Sequence, residues 1–138
     1  LNYILLLNNN PTVGVEDGDN VSSGDRLNPV LSDPLDTSFN EESLPIKLAI
    51  RCIFGYETSN NVKITPFGEN EDRWSLALDD NEQPGIFLSY GDSLEINEVI
   101  KDKNYVFWVK DRTISGELPV NDKTVSLKVE TKISSNLL

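Results

Sequence analysis

From Leu44 onward, apolar and polar residues alternate with a period of two. Ile46, Leu48, Ile50, Cys52 and Phe54 fall on one face of an extended chain, with Lys47, Ala49 and Arg51 on the other. Successive side chains of a pleated strand point to opposite sides, so this alternation predicts a strand with one buried face. Gly55 closes the run. Shorter runs follow at Val62 and Ile64, at Trp74, Leu76 and Leu78, and at Ile86, Leu88 and Tyr90. Leu94 with Ile96, then Tyr105, Phe107 and Val109, then Val125, Leu127 and Val129 complete the series. Turn-forming clusters separate them: Phe67 to Asn70, Asp79 to Gly85, Gly91-Asp92 and Lys101 to Asn104. No stretch has a helical period and nothing repeats. The pattern predicts an all-β, antiparallel sandwich of about seven strands.

The first third of the chain reads differently. Between Asn8 and Ser43 there is little apolar periodicity and much Asn, Gly, Ser and Pro, which is loop chemistry. A structureless loop of that length is unusual inside a compact domain, so residues 1–45 are expected to form an N-terminal strand and an extended acidic arm ahead of a sandwich at 46–138. The opening Leu1 to Leu7 suits a strand, either in this domain or added to a neighbour's sheet. Tyr3, Ile4, Leu5, Leu6 and Leu7 are the residues expected to make such a subunit contact, because an extended segment pairs its backbone with an exposed sheet edge and seats alternate side chains in pockets. The segment is too short, and lacks the basic start, for a signal peptide. No Met occurs, position 1 included, which suggests a processed product or part of a longer polypeptide.

Near the C-terminus, Val99 stands six residues before Tyr105, and Tyr105-Val106-Phe107-Trp108-Val109 supplies a Tyr-x-apolar-x-Val strand. A loop from Asp111 to Asp122 and a closing strand at Thr124 to Glu130 follow. Residues 93–131 thus resemble the last three strands of a fibronectin type III or related immunoglobulin-like domain. The resemblance implies an Ig-like sandwich with a tyrosine corner, in which Val99 and Tyr105 lock the loop and the tyrosine hydroxyl bonds back to upstream backbone. The chain departs from the family elsewhere. Ile46 to Phe54 contains no Trp, Trp74 sits where an immunoglobulin-like domain places its strand-C tryptophan, and the inter-sheet disulfide is absent because Cys52 is the only cysteine. Cys52 reads as a small buried hydrophobe.

Charge and composition remove whole classes of chemistry. Twelve basic residues against twenty-three acidic ones give a net charge of -11. Phosphate backbones are bound by Lys and Arg, so nucleic acid and anionic membrane surfaces are not expected partners. The acidity is concentrated in residues 1–45, which hold eight acids and one base, Arg26. With no histidine, the Ser-His-Asp and Cys-His nucleophilic arrangements and the commonest zinc sites are ruled out. No Gly-rich phosphate loop leads into a helix. No pair of carboxylates is singled out for catalysis, and no enzymatic activity is expected.

Two groups of residues carry binding chemistry. Glu16, Asp17, Asp19 and Asp25 pack four carboxylates around two glycines, oxygen chemistry that suits a structural calcium ion, beside the plainer reading of a solvated acidic loop. Tyr56, Phe67, Phe87 and Trp108 offer flat rings for a glycan, beside the plainer reading of packing in the core, under the N-terminal arm or against a neighbouring subunit. The expected role is therefore non-catalytic: a structural or accessory subunit of a repetitive extracellular assembly, such as a decoration or tail protein of a bacterial virus or a surface filament subunit. Its partners would be copies of itself or other subunits. The alternative is an adhesive or carbohydrate-binding module of a larger secreted or surface protein.

Overall fold

The computed structural model describes residues 3–21, 42, 44–67, 71–112 and 127–137. These are nearly all β, paired antiparallel throughout, with no α-helix among them. A six-stranded sheet runs in the order β2 (Asp19–Asn20), β1 (Ile4–Asn8), β3 (Ile46–Cys52), β9 (Tyr105–Asp111), β6 (Trp74–Asp80) and β7 (Gln83–Pro84). A three-stranded sheet has the order β10 (Leu127–Glu130), β5 (Val62–Pro66) and β8 (Leu94–Ile96). A two-stranded ribbon joins β11 (Ile133–Ser135) to β4 (Tyr56–Thr58).

The alternation in β3 does what it predicts over seven residues. Leu48 and Ile50 join Leu76, Phe107 and Val109 in a core shared with Val62, Ile64, Leu94 and Ile96 of the smaller sheet. The two sheets therefore face each other across one apolar layer, with Cys52 also buried. The run ends sooner than expected: Phe54 lies in the turn after β3 and is 75% exposed. Gly55, at φ +93, completes that turn, and Leu137 lies so close that a Cβ there would meet its side chain at 2.9 Å.

Of the two placements open to the N-terminal strand, the structure takes the first. Ile4–Leu7 is a strand of this chain's own sheet rather than one added to a neighbour's, in register from Ile4 opposite Cys52 to Leu7 opposite Ala49. The alternation explains the outcome, because Ile4 and Leu6 pack on the main core while Leu5 and Leu7 pack on the opposite face. Residues 9–18 then fold back over the sheet and β2 pairs with β1. Residues 22–41 of the expected arm, and Val125 of the last run, lie outside the described residues.

Three other expectations change. Ile86, Leu88 and Tyr90 do not form a regular strand, because the main-chain bonds of this segment come from every third residue and not from every second as a ladder requires. The segment instead hangs on the outer edge of β6 through Gly85 N–H to Leu78 O, Leu88 N–H to Leu76 O and Gly91 N–H to Trp74 O. The closing strand β10 pairs with β5, whereas in immunoglobulin domains the last strand joins the tyrosine-corner strand. Here that strand, β9, is already flanked by β3 and β6. Strands β4 and β11 were not expected at all, being too short to show a period.

The β6–β7 hairpin turns through two residues, Asn81 and Glu82, between the paired Asp80 and Gln83. Both have positive φ, 52° and 66°, as a two-residue turn that follows the strand twist demands. Both carry a Cβ that crowds the following carbonyl there, and Glu82 bears the greater strain because it lacks the short polar side chain by which Asn offsets it. Glu82→Gly should therefore stabilise the fold by about 0.5–1 kcal/mol, the relief of left-handed strain less the added chain entropy. A urea titration should show a higher midpoint with an unchanged slope.

Candidate functional site

The large sheet has a second face, and it carries most of the chemistry-bearing side chains. Its floor is small: Ala49 and Ala77 are fully buried, with Val106, Leu7 and Trp108 beside them. At one end it is covered by residues 9–18. A loop laid over a sheet must satisfy its own main-chain groups, and Asn104, just ahead of β9, meets that requirement. Its Nδ2 donates to Asp17 Oδ1 at 2.8 Å and to Thr12 O at 3.0 Å. Its Oδ1 accepts from Arg51 Nη1 at 2.8 Å. Its main chain closes the contact, with N–H to Val15 O at 2.8 Å and the carbonyl accepting from Gly14 N–H at 3.1 Å.

The carboxylates read as a calcium cluster are used one by one inside this loop. Asp17 accepts from Thr12 N–H at 2.7 Å and Thr12 Oγ1 at 2.6 Å. Glu16 pairs with Lys103 at 2.7 Å, and Asp19 accepts from Asn9 Nδ2 at 2.6 Å. The structure does not bring the three together, and no three acidic, His or Cys side chains gather as a metal site among the described residues. Asp25 lies outside them. Gly18 is there for packing: at φ +97, a Cβ would sit 3.1 Å from both Leu7 and Pro11. Hydrogen bonds from Thr12, side chain first and then backbone, hold the Asp17 carboxyl below the usual range.

At the other end of this face, Glu42 reaches the sheet through a bridge with Arg112. Its carboxylate accepts from the Tyr90 hydroxyl at 2.7 Å and from Lys110 Nζ at 3.1 Å. Lys110 lies 4.6 Å over the Phe87 ring, and the Arg112 guanidinium lies 4.2 Å over Tyr90. Trp108 shares the face and donates its indole N–H to Asp79 Oδ1 at 2.8 Å. The Tyr90 bond, then Lys110, hold Glu42 below the usual carboxylate range. Burial first, and Glu42 second, push the Tyr90 hydroxyl up. Both groups move away from neutrality, the wrong direction for a general acid or base at neutral pH. The set is an internally satisfied knot that ties residue 42 to the sheet.

The expected tyrosine corner is corrected in its partners. Val99 is 43% exposed and its neighbour Ile100, at 3%, fills the core position. Burial first, and the neighbouring Glu98 side chain second, push the Tyr105 hydroxyl up to about 12. Of the other rings considered, Tyr56 stacks on Tyr3 at 4.6 Å between centroids and Phe67 is exposed. Sequence reasoning missed Glu42, Tyr90, Asn104, Lys110 and Arg112. The period-two placement of Lys110 and Arg112 behind Trp108 was the available signal for two of them. Compared with protein-family models, curated proteins and solved structures, the chain matches none.

The two lowered carboxyls fix the sign of the acid response. They titrate lower in the folded chain than in the unfolded one, so the unfolded chain binds more protons in acid. Their contribution is full above the ordinary carboxylate range near about pH 4 and is lost as pH falls through the lowered values. Urea midpoints should drop across that window, and Asp17→Asn should lower the neutral-pH midpoint while flattening the acid limb. Asn104→Ala, which strands donors and acceptors of Arg51, Thr12 and Asp17, should cost roughly 1–3 kcal/mol. An unchanged midpoint would show that residues 9–18 do not depend on Asn104.

Proposed function

We propose that this chain is a non-catalytic contact module, a structural or accessory subunit of a repetitive extracellular assembly. A virion decoration or tail protein, or a surface filament subunit, is the kind of protein meant. One observation carries the reading: the polar side chains on the second face are spent on one another, while large apolar ones are left at the rims. Ile86 is 92% exposed and Phe54 three-quarters exposed. Scattered single apolar residues are ordinary on a surface, but branched and aromatic side chains held out on turns are contact chemistry. For the fold, we propose a two-layer sandwich that shares the immunoglobulin architecture without its strand order, since β10 joins β5.

The contact proposed here is not donation of the first strand. Ile4–Leu7 is paired along its length with β3, and Leu7 and Asn8 are also paired with β2. The alternative, an adhesive or carbohydrate-binding module, draws on Phe87, Tyr90 and Trp108 sharing one face. The cations stacked on the first two rings count against it, because a sugar needs an open ring face.

The test uses the full chain twice. Cross-linking in the organism that makes it should return one stoichiometric protein complex, and a glycan array should stay blank. A retained glycan with no cross-linked complex overturns the structural-subunit reading in favour of the alternative.

A further inference from the structure

Residues 74–100 carry six acids, Asp79, Asp80, Glu82, Asp92, Glu95 and Glu98, and no base. That is a local charge of -6 with no base to offset it, second to the -7 of residues 1–45. It covers β6, the hairpin to β7, the segment bonded along the outer edge of β6, and β8. All of the six except Asp79 are exposed. The same stretch holds Ile86 at 92% exposure, with Leu78 at 40% on the facing arm of the hairpin, where Leu78 O accepts from Gly85 N–H. The acids reach this edge from two elements: Glu98 neighbours the Tyr105 side chain, and Tyr105 opens β9, the strand that pairs with β6.

We infer that the β6–β7 hairpin edge is a docking surface for a basic protein partner, a different subunit rather than a second copy of this chain. This rests on the contact-module reading and names its partner by chemistry. Ile86 and Leu78 supply the apolar anchor, which gives an interface most of its affinity. Asp80, Glu82 and Glu98 form an acidic rim, which steers a cationic partner in and penalises an anionic one. A second copy, at net charge -11, would bring the same acids against themselves. The hairpin presents side chains rather than a ladder, because Pro84 has no N–H to offer an incoming strand.

The test titrates the isotope-labelled full chain with a short capped peptide alternating lysine with valine, and with its glutamate counterpart. The lysine peptide should shift the amides of residues 78–86 and 98–99, at least tenfold more weakly in Ile86→Ser and in Asp80→Lys/Glu82→Lys, and ever less as salt rises. The glutamate peptide should shift none of them. These side chains are exposed, so the variants should keep the parent's fold and urea midpoint within error. Shifts spread over every acidic region, or unaffected by Ile86→Ser, would reduce the effect to bulk charge and overturn the proposal. Concentration-dependent self-association of the chain, lost in Ile86→Ser, would overturn it in favour of a second copy. The cross-linked complex separates the two readings: a complex that survives Ile86→Ser moves the contact elsewhere, and no complex removes the contact module itself.

Discussion

β9 is apolar on both faces, and that constraint organises the molecule. Phe107 and Val109 turn toward the smaller sheet, while Val106 and Trp108 turn away from it. A strand of this kind must lie in the middle of its sheet and be covered twice. Apolarity alone would fix its register weakly, since a slip of one residue exchanges one apolar pair for another. Size fixes it instead. Phe107 lies between Leu48 and Leu78, and Val109 between Ile46 and Leu76. On the far face, Val106 lies beside Ala49 and Trp108 beside Ala77. A slipped strand would press the indole onto a leucine and leave the phenyl ring over an alanine. Close-packed interiors tolerate neither overpacking nor voids.

Covering the second face draws on different physics from covering the first. The inner face meets another sheet, whose own ladder already satisfies its backbone. Part of the outer face meets residues 9–18, which bring main-chain N–H and C=O groups without a ladder. Asn104, Arg51 and Asp17 answer that demand, which is why polar and charged side chains stand at a strand end beside buried Leu7. Asp17 is thus part of the folding chemistry of the sheet. The same reasoning applies to Glu42, whose carboxylate takes the Tyr90 and Lys110 donors where the chain enters the sheet.

What could be read from the sequence follows from which of these physical effects are local. Period two is local, so β3, β5, β6, β8 and β9 were legible, as was the burial of Cys52. Pairing is not local: nothing in Tyr3 to Leu7 says that its partner is Ala49 to Cys52 rather than a neighbour's edge, and the long polar stretch after it argued for an arm. Val99 and Ile100 differ by one position, and a motif count could not decide which of them faces the core. Carboxylate spacing in Glu16 to Asp19 resembled a cation loop because composition does not reveal where each acid points. Glu42 is 48 residues from Tyr90 and 68 from Lys110, a separation at which a single sequence carries no signal.

The placement of the sheet edges limits what the backbone of the large sheet offers to another chain. The four long strands β1, β3, β9 and β6 are all interior, and the outermost strands, β2 and β7, have two residues each. An incoming strand would find little unpaired backbone there, and Pro84 removes one donor from what remains. Exporting β1 to a neighbour would be costlier still. It would break its pairing with both β2 and β3, expose Leu7, and release the loop whose Gly18 lies against that same leucine. A swap of that kind amounts to partial unfolding. With backbone pairing blunted at the rims of the large sheet and the first strand held in place, what those rims present is side chains. At the β6–β7 rim they are the exposed Ile86 and Leu78, set among exposed acids.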